Sequence, residues 1–293
     1  MKPAPFEYHA PSSIEEVVTL KSQYGDDAKF LAGGQSLVPA MNFRIVQPSV
    51  LIDLNRASEL SYIREDGNVI RIGSMARERH LEFDASIEKR TPLLHEAVPN
   101  IAHPQIRNRG TIGGSIVNAD PAAELPVLMI ALNARLKARN KSTERWITAK
   151  DFFAGMFTTA LEPDEALVEI ELPFAEPRTG WSFMEVAPRS GDYAMMGVAT
   201  SVTLDENGKC KSAKLVYLNA GDGPVDAVEA AQSLVGKSLN DKLFESAAVI
   251  ASEKEIIPFG NIHASAEFQS HLAKTLTMKT LKIAVERAQQ REN

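Results

Sequence analysis

Two glycine pairs, about eighty residues apart, constrain this chain of 293 residues more than any other feature of its sequence. The first lies in residues 32–36 (AGGQS) and the second in residues 111–115 (TIGGS). A glycine pair permits positive φ and lets another group approach the backbone, since no Cβ intervenes. Successive N–H groups in such a turn can form a concave anion site, with nearby hydroxyls as further donors. The two turns therefore favour a diphosphate held from two sides, with two ordinary structural turns as the alternative.

The spacing of these glycines excludes the two commonest nucleotide-binding loops. No third glycine follows Gly33 and Gly34 at the offset of a Rossmann fingerprint, and Pro39 occupies the stretch where that helix would run. Neither motif ends in Gly-Lys-Ser or Gly-Lys-Thr, so a nucleoside-triphosphate loop is excluded as well. We therefore do not expect a nicotinamide cofactor bound on a doubly wound sheet.

Charge and cysteine content narrow the function classes further. The chain carries 32 basic and 38 acidic side chains, a formal net charge of −6 with no basic block, which argues against a nucleic-acid partner. No apolar run is long enough for a membrane span, and the start lacks an apolar secretion segment, so we expect a cytoplasmic protein. The only cysteine, Cys210, cannot supply a zinc or iron–sulfur site, and the six histidines show only weak ligand spacings. We expect no metal site in this chain.

The length of the chain favours two or three compact units. Helices and short strands alternate up to residue 172, including predicted helices over residues 86–98 and 122–132. Pro173, Pro177 and Gly180 then mark a domain boundary. Beyond it, residues 205–208 (DENG) predict a hairpin, and a long helix closes the chain over residues 264–290.

Residues 32–39 (AGGQSLVP), 106–115 (IRNRGTIGGS) and 119–122 (ADPA) together resemble the FAD-binding medium subunits of molybdenum hydroxylases. This family includes the carbon monoxide dehydrogenase medium chain, and the flavin domain of xanthine dehydrogenase is related to it. The resemblance extends over nearly the whole chain, through residues 189–194 (RSGDYA) and 262–268 (IHASAEF). The two glycine motifs in this order are specific, whereas either motif alone is not.

The resemblance implies an α+β fold with a two-lobed FAD-binding domain of the vanillyl-alcohol-oxidase (PCMH) type. This domain would occupy residues 1–176, with lobes of approximately 1–56 and 57–176. Residues 177–293 would form a smaller C-terminal α+β domain of the flavoprotein C-terminal type.

The resemblance also implies a set of FAD-binding residues, with no catalytic residue and no metal ligand. The first motif would wrap the diphosphate, and the second would bind it from the other lobe. Asp120 and Glu124 would lie near the sugar and ribityl hydroxyls. Tyr193 would lie beside the isoalloxazine ring, with Leu161 packed nearby. The implied set is Phe30, Leu31, Ala32, Gly33, Gly34, Gln35, Ser36, Leu37, Thr111, Gly114, Ser115, Asp120, Glu124, Leu161 and Tyr193.

Several of these residues also have a purely structural interpretation. The hydroxyls of Ser36, Thr111 and Ser115 suit helix caps. Asp120 and Glu124 suit the start and first turn of a helix. Tyr193 is also consistent with an exposed tyrosine in a polar loop that contacts no ligand. Arg107 and Arg109 either offset diphosphate charge or serve the surface.

The sequence departs from the relatives at three places. Some relatives carry His at the position of Gln35 and Asn at that of Ser115, and both exchanges retain hydrogen-bonding capacity. In xanthine dehydrogenase relatives a lysine occupies the position of Met184, so the electron acceptor stays open.

The resemblance implies an oxidoreductase subunit that transfers electrons through FAD. Its partners would be a small iron–sulfur (2Fe–2S) subunit and a large molybdopterin subunit, assembled as a dimer of heterotrimers. A stand-alone FAD-dependent oxidase or dehydrogenase of a small organic substrate is the main alternative, and a subunit that has lost its cofactor is the second. The organic substrate is not encoded in these residues.

Overall fold

A computed structural model describes residues 1–291 of the chain. Its first part is a three-stranded parallel sheet with the strand order β1-β3-β2. Two overlapping Ser-x-x-Glu spacings, Ser12 with Glu15 and Ser13 with Glu16, predict the start of the first helix. The structure has the second, in which the Ser13 hydroxyl accepts a hydrogen bond from the Glu16 backbone N–H. The strands and helices of this lobe are β1 (Glu7–His9), α1 (Ile14–Tyr24), β2 (Ala28–Leu31), α2 (Leu37–Asn42) and β3 (Val50–Asp53).

The second lobe is built on a five-stranded antiparallel sheet with the order β4-β5-β10-β6-β7, beside a small β8-β9 pair. Its strands are β4 (Ile63–Asp66), β5 (Val69–Gly73), β6 (Arg135–Arg139), β7 (Glu144–Thr148), β8 (Phe153–Gly155), β9 (Thr158–Thr159) and β10 (Ala166–Pro173). Its helices are α3 (Glu78–Phe83), α4 (Ala85–Arg90), α5 (Pro92–Ala97), α6 (Pro104–Arg107), α7 (Ile112–Asn118), α8 (Glu124–Ala131) and α9 (Ala149–Phe152).

The helix predicted over residues 86–98 is wrong as a single element, because the chain breaks it at Thr91. Thr91 adopts φ −132° and ψ 60°, outside the helical region, and Pro92 starts α5. A proline lacks the N–H that a continuous helix needs and disfavours helical geometry in the residue before it. The two short helices therefore meet at an angle that the apolar spacing alone does not reveal.

The C-terminal part packs a long helix on a four-stranded antiparallel sheet with the order β11-β12-β13-β14. The predicted hairpin joins β12 to β13, with Gly208 at φ +74°. Helix α11 continues as a π-helical turn over Ala251–Glu255. The elements are β11 (Thr179–Val186), β12 (Met196–Leu204), β13 (Cys210–Leu218), β14 (Val225–Asp226), α10 (Val228–Gln232), α11 (Asp241–Ile250) and α12 (Ala266–Gln290).

Helix α8 connects the second lobe to the C-terminal part. All eight of its residues are buried, which agrees with a sequence (ELPVLMIA) that is apolar on every side after its first residue. The core around it includes Leu125 and Leu128 of the helix together with Phe183, Ala199 and Val216 of the C-terminal sheet. Helix α8 is thus fixed by apolar packing from both sides.

Within residues 1–291, no helix combines the length and the hydrophobicity that a membrane span requires.

Candidate functional site

The two glycine motifs lie against each other in the folded chain. A Cβ built on Gly33 would lie 2.8 Å from the Cα of Gly110, immediately before the second motif. A Cβ built on Gly114 would lie 3.5 Å from the Cβ of Ala32. Segments about eighty residues apart in sequence therefore meet in direct backbone contact. We call the surface along this junction the cleft, and the two segments its walls.

The first motif presents a row of free backbone donors. Gly34 has φ +75°, a conformation that glycine adopts without the steric cost of a Cβ. Within residues 1–291, none of the backbone N–H groups of residues 33–36 donates a hydrogen bond to the protein. The Gln35 side chain closes the turn through a 2.9 Å hydrogen bond to the Gly33 carbonyl, and Ser36 precedes α2 without making a side-chain cap. Consecutive unpaired N–H groups of this kind form an anion site.

The second motif has a different local structure from the first. Its glycines lie in the first turn of α7 and not in a turn of positive φ, so the prediction that it repeats the first motif is wrong. The N–H groups of Ile112 and Gly113 bind backbone carbonyls, and that of Gly114 donates to the Thr111 hydroxyl at 3.1 Å. Thr111 is therefore a helix cap, and the hydroxyl groups of Thr111 and Ser115 are the polar groups this wall can offer.

A side-chain bridge that the sequence analysis missed joins the two motifs. The Arg77 guanidinium donates to the Arg109 carbonyl and, at 2.6 Å, to Oδ1 of Asn55. Nδ2 of Asn55 donates to the Ala32 carbonyl at 3.0 Å. Because the Ala32 carbonyl and the Gly33 N–H belong to one planar peptide, holding the carbonyl also fixes the direction of that N–H. Neither bridging residue belongs to a recognisable motif, and only their placement in the fold identifies them.

The two arginines near the second motif have separate roles. Arg107 is buried, forms a 3.0 Å ion pair with Glu82 and donates to the Ile101 and Ala102 carbonyls. Its charge is thus balanced inside the second lobe. Arg109 is exposed, and its backbone carbonyl is what the bridge holds.

Two acidic residues form the far end of the cleft wall. Asp120 accepts a 2.9 Å hydrogen bond from the Ala122 N–H, and burial raises the pKa of its carboxyl. Glu124 is the first residue of α8 and is 9% exposed. Burial, with a smaller contribution from the charge of Asp120, raises the pKa of Glu124 to about 7. Carboxyl groups of this kind accept hydrogen bonds from sugar hydroxyls.

Tyr193 lies close enough to both acids for their charges to act on its hydroxyl. Its side chain is 73% exposed, yet the surrounding groups still reduce the solvation of its hydroxyl and raise its pKa, with smaller contributions from Asp120 and Glu124. The loop that carries it contacts the second lobe, since a Cβ on Gly191 would clash with the His103 ring. The loop composition gives no hint of this contact.

Leu161 and Met184 pack at the edges of two different cores. Leu161 is half-buried against the core of the second lobe. Met184 is half-buried against the core of the C-terminal part. Phe30 and Ala32 pack against the core of the first lobe, while Leu31 and Leu37 flank the first motif on strand β2 and helix α2.

The fold thus joins two lobes at their glycine motifs, with free N–H groups on the first motif and hydroxyl and buried carboxyl groups on and after the second. Residues 4–175 match the family described as the FAD binding domain in molybdopterin dehydrogenase, and residues 181–284 match the CO dehydrogenase flavoprotein C-terminal domain. The chain belongs to this family of FAD-binding medium subunits of molybdenum hydroxylases.

Curated relatives and solved structures agree with that assignment. The chain is 41% identical over 288 residues to the 6-hydroxypseudooxynicotine dehydrogenase complex subunit alpha of Paenarthrobacter nicotinovorans, covering 98% of this chain and 97% of that one. It is 37% identical to the carbon monoxide dehydrogenase medium chain of Hydrogenophaga pseudoflava, with 97% and 98% covered. A crystal structure of carbon monoxide dehydrogenase from that organism aligns with a TM-score of 0.95 at 37% identity, covering 98% of this chain and 99% of that chain.

These matches confirm four predictions from the sequence. The family, the α+β fold of an FAD-binding domain followed by a C-terminal domain, the FAD cofactor and the oxidoreductase class are all confirmed.

Proposed function

We propose that this chain is the electron-transfer flavoprotein of a heteromeric molybdenum hydroxylase. Electrons would arrive from iron–sulfur clusters on a small 2Fe–2S partner, after oxidation of an organic substrate at a large molybdopterin partner. They would leave from the FAD held here to an external acceptor. The observation that carries this proposal is the single cleft formed by two glycine motifs from separate lobes, in a chain whose relatives are named as subunits of dehydrogenases.

We further propose that the predicted residues hold FAD in this cleft. The free N–H groups of residues 33–36 and the hydroxyls of Thr111 and Ser115 suit the diphosphate. Asp120 and Glu124 suit the sugar and ribityl hydroxyls, and the exposed ring of Tyr193 suits contact with the isoalloxazine. Bound FAD supplies the chemistry, since it takes up and releases electrons.

In this proposal the protein orients the FAD and limits access to it. The Arg77–Asn55 bridge holds the two walls at a fixed separation, so the donors are already in place when the ligand arrives. The loop of Tyr193 restricts the contact of the bound flavin with solvent and with the acceptor. No acid–base pair of the chain is needed for electron transfer, and we assign none.

The cysteine content supports placing the iron–sulfur clusters on another polypeptide. An iron–sulfur cluster takes several protein ligands, usually four cysteines, whereas this chain has Cys210 alone. That thiol is buried, and burial raises its pKa to about 11, so it is not poised as a thiolate ligand. We propose a dimer of heterotrimers in the cytoplasm, with the domain boundary at 176/177 and the lobe boundary at 56/57.

Purification of the tagged chain from its native host tests this proposal. We expect two companion polypeptides, one a small iron–sulfur protein and one a large molybdopterin protein, together with FAD in the visible spectrum. Separation of the chain from its companions should leave FAD bound to the chain and abolish substrate oxidation. Turnover of an organic substrate by the separated, FAD-loaded chain would instead support the stand-alone oxidase, and a colourless chain after reconstitution with FAD would support a subunit without cofactor.

A further inference from the structure

A carboxyl group without an assigned role lies directly beneath the second wall of the cleft. Glu78 is the first residue of α3 and is 4% exposed. Its backbone N–H donates to the Gly110 carbonyl at 3.1 Å. A Cβ built on Gly110 would lie 2.6 Å from Cδ of Glu78, so the carboxyl packs against the bare Cα of this glycine. The contact is possible only because residue 110 has no side chain.

Gly110 in turn packs against the first motif. A Cβ built on Gly33 would lie 2.8 Å from the Gly110 Cα, so the Glu78 carboxyl, Gly110 and Gly33 are stacked in this order. The backbone of two glycines separates the carboxyl from the row of free N–H groups at residues 33–36. A charge on Glu78 therefore acts across a short, poorly solvated path on any anion bound to those groups.

The surroundings of the Glu78 carboxyl do not compensate a negative charge. Within residues 1–291, Oε2 is buried and has no hydrogen-bond partner. Glu124, on α8, adds a second acidic group, while Arg107 on α6 and the adjacent Arg77 act in the opposite direction. Arg107 is already paired with Glu82, and Arg77 bridges the two motifs. Burial first, and Glu124 second, raise the pKa of Glu78 to about 8, so the carboxyl is neutral at pH 7.

We propose that FAD binds the form of this chain in which Glu78 is protonated, so that FAD binding is coupled to proton uptake at this carboxyl. The inference rests on the proposed placement of the FAD diphosphate at residues 33–36. An ionised Glu78 would repel the dianionic diphosphate, whereas the protonated carboxyl carries no charge to repel it. Bound diphosphate must by the same coupling raise the pKa of Glu78 further. Glu78 thus makes cofactor retention sensitive to pH without contacting the cofactor.

The pH dependence of FAD binding to the full-length chain, freed of FAD, tests the proposal. Between pH 7 and pH 9 we expect the Kd to rise by up to about tenfold more in the wild type than in Glu78→Gln, because the unliganded Glu78 carboxyl ionises around pH 8. Calorimetry at pH 8 in buffers of different ionisation enthalpy should show that the wild type takes up about half a proton more per FAD than Glu78→Gln does. Glu124, whose pKa is about 7, is present in both proteins, so the difference between them isolates Glu78.

Glu185→Gln is the matched control for this experiment. Burial also raises the pKa of Glu185 to about 8, but this residue lies on β11, outside both glycine motifs. We expect this variant to retain the wild-type pH profile. A wild-type Kd that does not change with pH would overturn this inference and leave the proposed function intact. That measurement does not depend on the folding of Glu78→Gln. Loss of the pH dependence in Glu185→Gln but not in Glu78→Gln would also overturn it, and failure of FAD to bind at any pH would overturn the proposed function as well.

Discussion

Replacing Gly33 by alanine should push the two walls of the cleft apart. The added methyl group would lie 2.8 Å from the Cα of Gly110 and closer still to the Arg109 carbonyl oxygen. Both neighbours are backbone atoms, so no rotation of a side chain can make room. Helix α7 behind them is held by the buried core, which limits how far the second wall can retreat.

The expected size of the effect follows from this geometry. Carbon atoms in favourable contact are about 3.5 Å apart, so the walls must separate by about 0.7 Å. Overpacking of this kind costs about 1–3 kcal/mol, which corresponds to a weakening of FAD binding by about 5-fold to 150-fold if the strain must be overcome in the bound state. Because separation of the walls relieves the strain in the FAD-free chain, its melting temperature should fall by only a few degrees.

Titration of the FAD-free chain with FAD, followed by flavin fluorescence, measures this effect. Gly223→Ala is the matched control, since a Cβ at Gly223 meets nothing within 4 Å and its φ is not positive. We expect the control to bind FAD like the wild type. A Gly33→Ala variant that binds FAD with the wild-type Kd would refute the idea that the contact between the two motifs sets the width of the cofactor site.

Four further substitutions test separate parts of the structure. Gly114→Val should abolish FAD retention, seen as loss of visible absorbance, because its side chain would enter the space between the two motifs. Arg77→Gln should weaken FAD binding by about tenfold, measured by titration, with partial recovery in Arg77→Lys, since each variant loses part of the bridge. Tyr193→Ala should change the rate of flavin reoxidation, measured by stopped flow, more than the Kd for FAD; unchanged kinetics would contradict a gating role. Leu125→Ala should lower the free energy of unfolding by about 2–5 kcal/mol in urea denaturation, because this fully buried side chain fills the core shared by two domains.

The buried carboxyl of Glu78 should also make the stability of the FAD-free chain depend on pH. Its pKa is about 8 in the folded chain and lies near 4.5 when it is solvated, so the folded state binds the proton more tightly between these values. Stability should therefore fall as the pH rises from about 4.5 to 8, and Glu78→Gln should reduce this slope. Thermal melts of the FAD-free chain across this range measure it, and equal slopes in both proteins would contradict the assignment.

Local sequence signals were sufficient for much of the fold. Two overlapping Ser-x-x-Glu spacings predict the start of α1, the DENG segment predicts the β12–β13 hairpin, and the apolar stretch over residues 122–132 predicts a helix where α8 lies. Each of these is set by interactions within a few residues of the chain. The break of the predicted 86–98 helix at Thr91 carries a local signal too, in Pro92, but apolar periodicity outweighed it in the prediction.

The candidate site divides along the same line. The two glycine pairs predicted that two distant segments meet, and the resemblance of the motifs predicted the family and the FAD cofactor. The second motif instead depends on tertiary contacts. Its first helical turn, capped by Thr111, is held where the N–H groups of Ile112 and Gly113 donate to the carbonyls of Ala76 and Ser74. Those partners come from a segment about forty residues earlier.

The sequence by itself determined the family, because residues 32–39, 106–115 and 119–122 resemble the motifs of FAD-binding medium subunits. From chemistry alone, the glycine pairs favoured a diphosphate but left two ordinary turns open. Only the tertiary structure decided what surrounds those segments: the Arg77–Asn55 bridge between the walls, and the Glu78 carboxyl stacked beneath Gly110. Arginine, asparagine and glutamate are ordinary surface residues when read along a chain. Their roles arise from burial and from neighbours distant in sequence, and both are properties of the folded molecule.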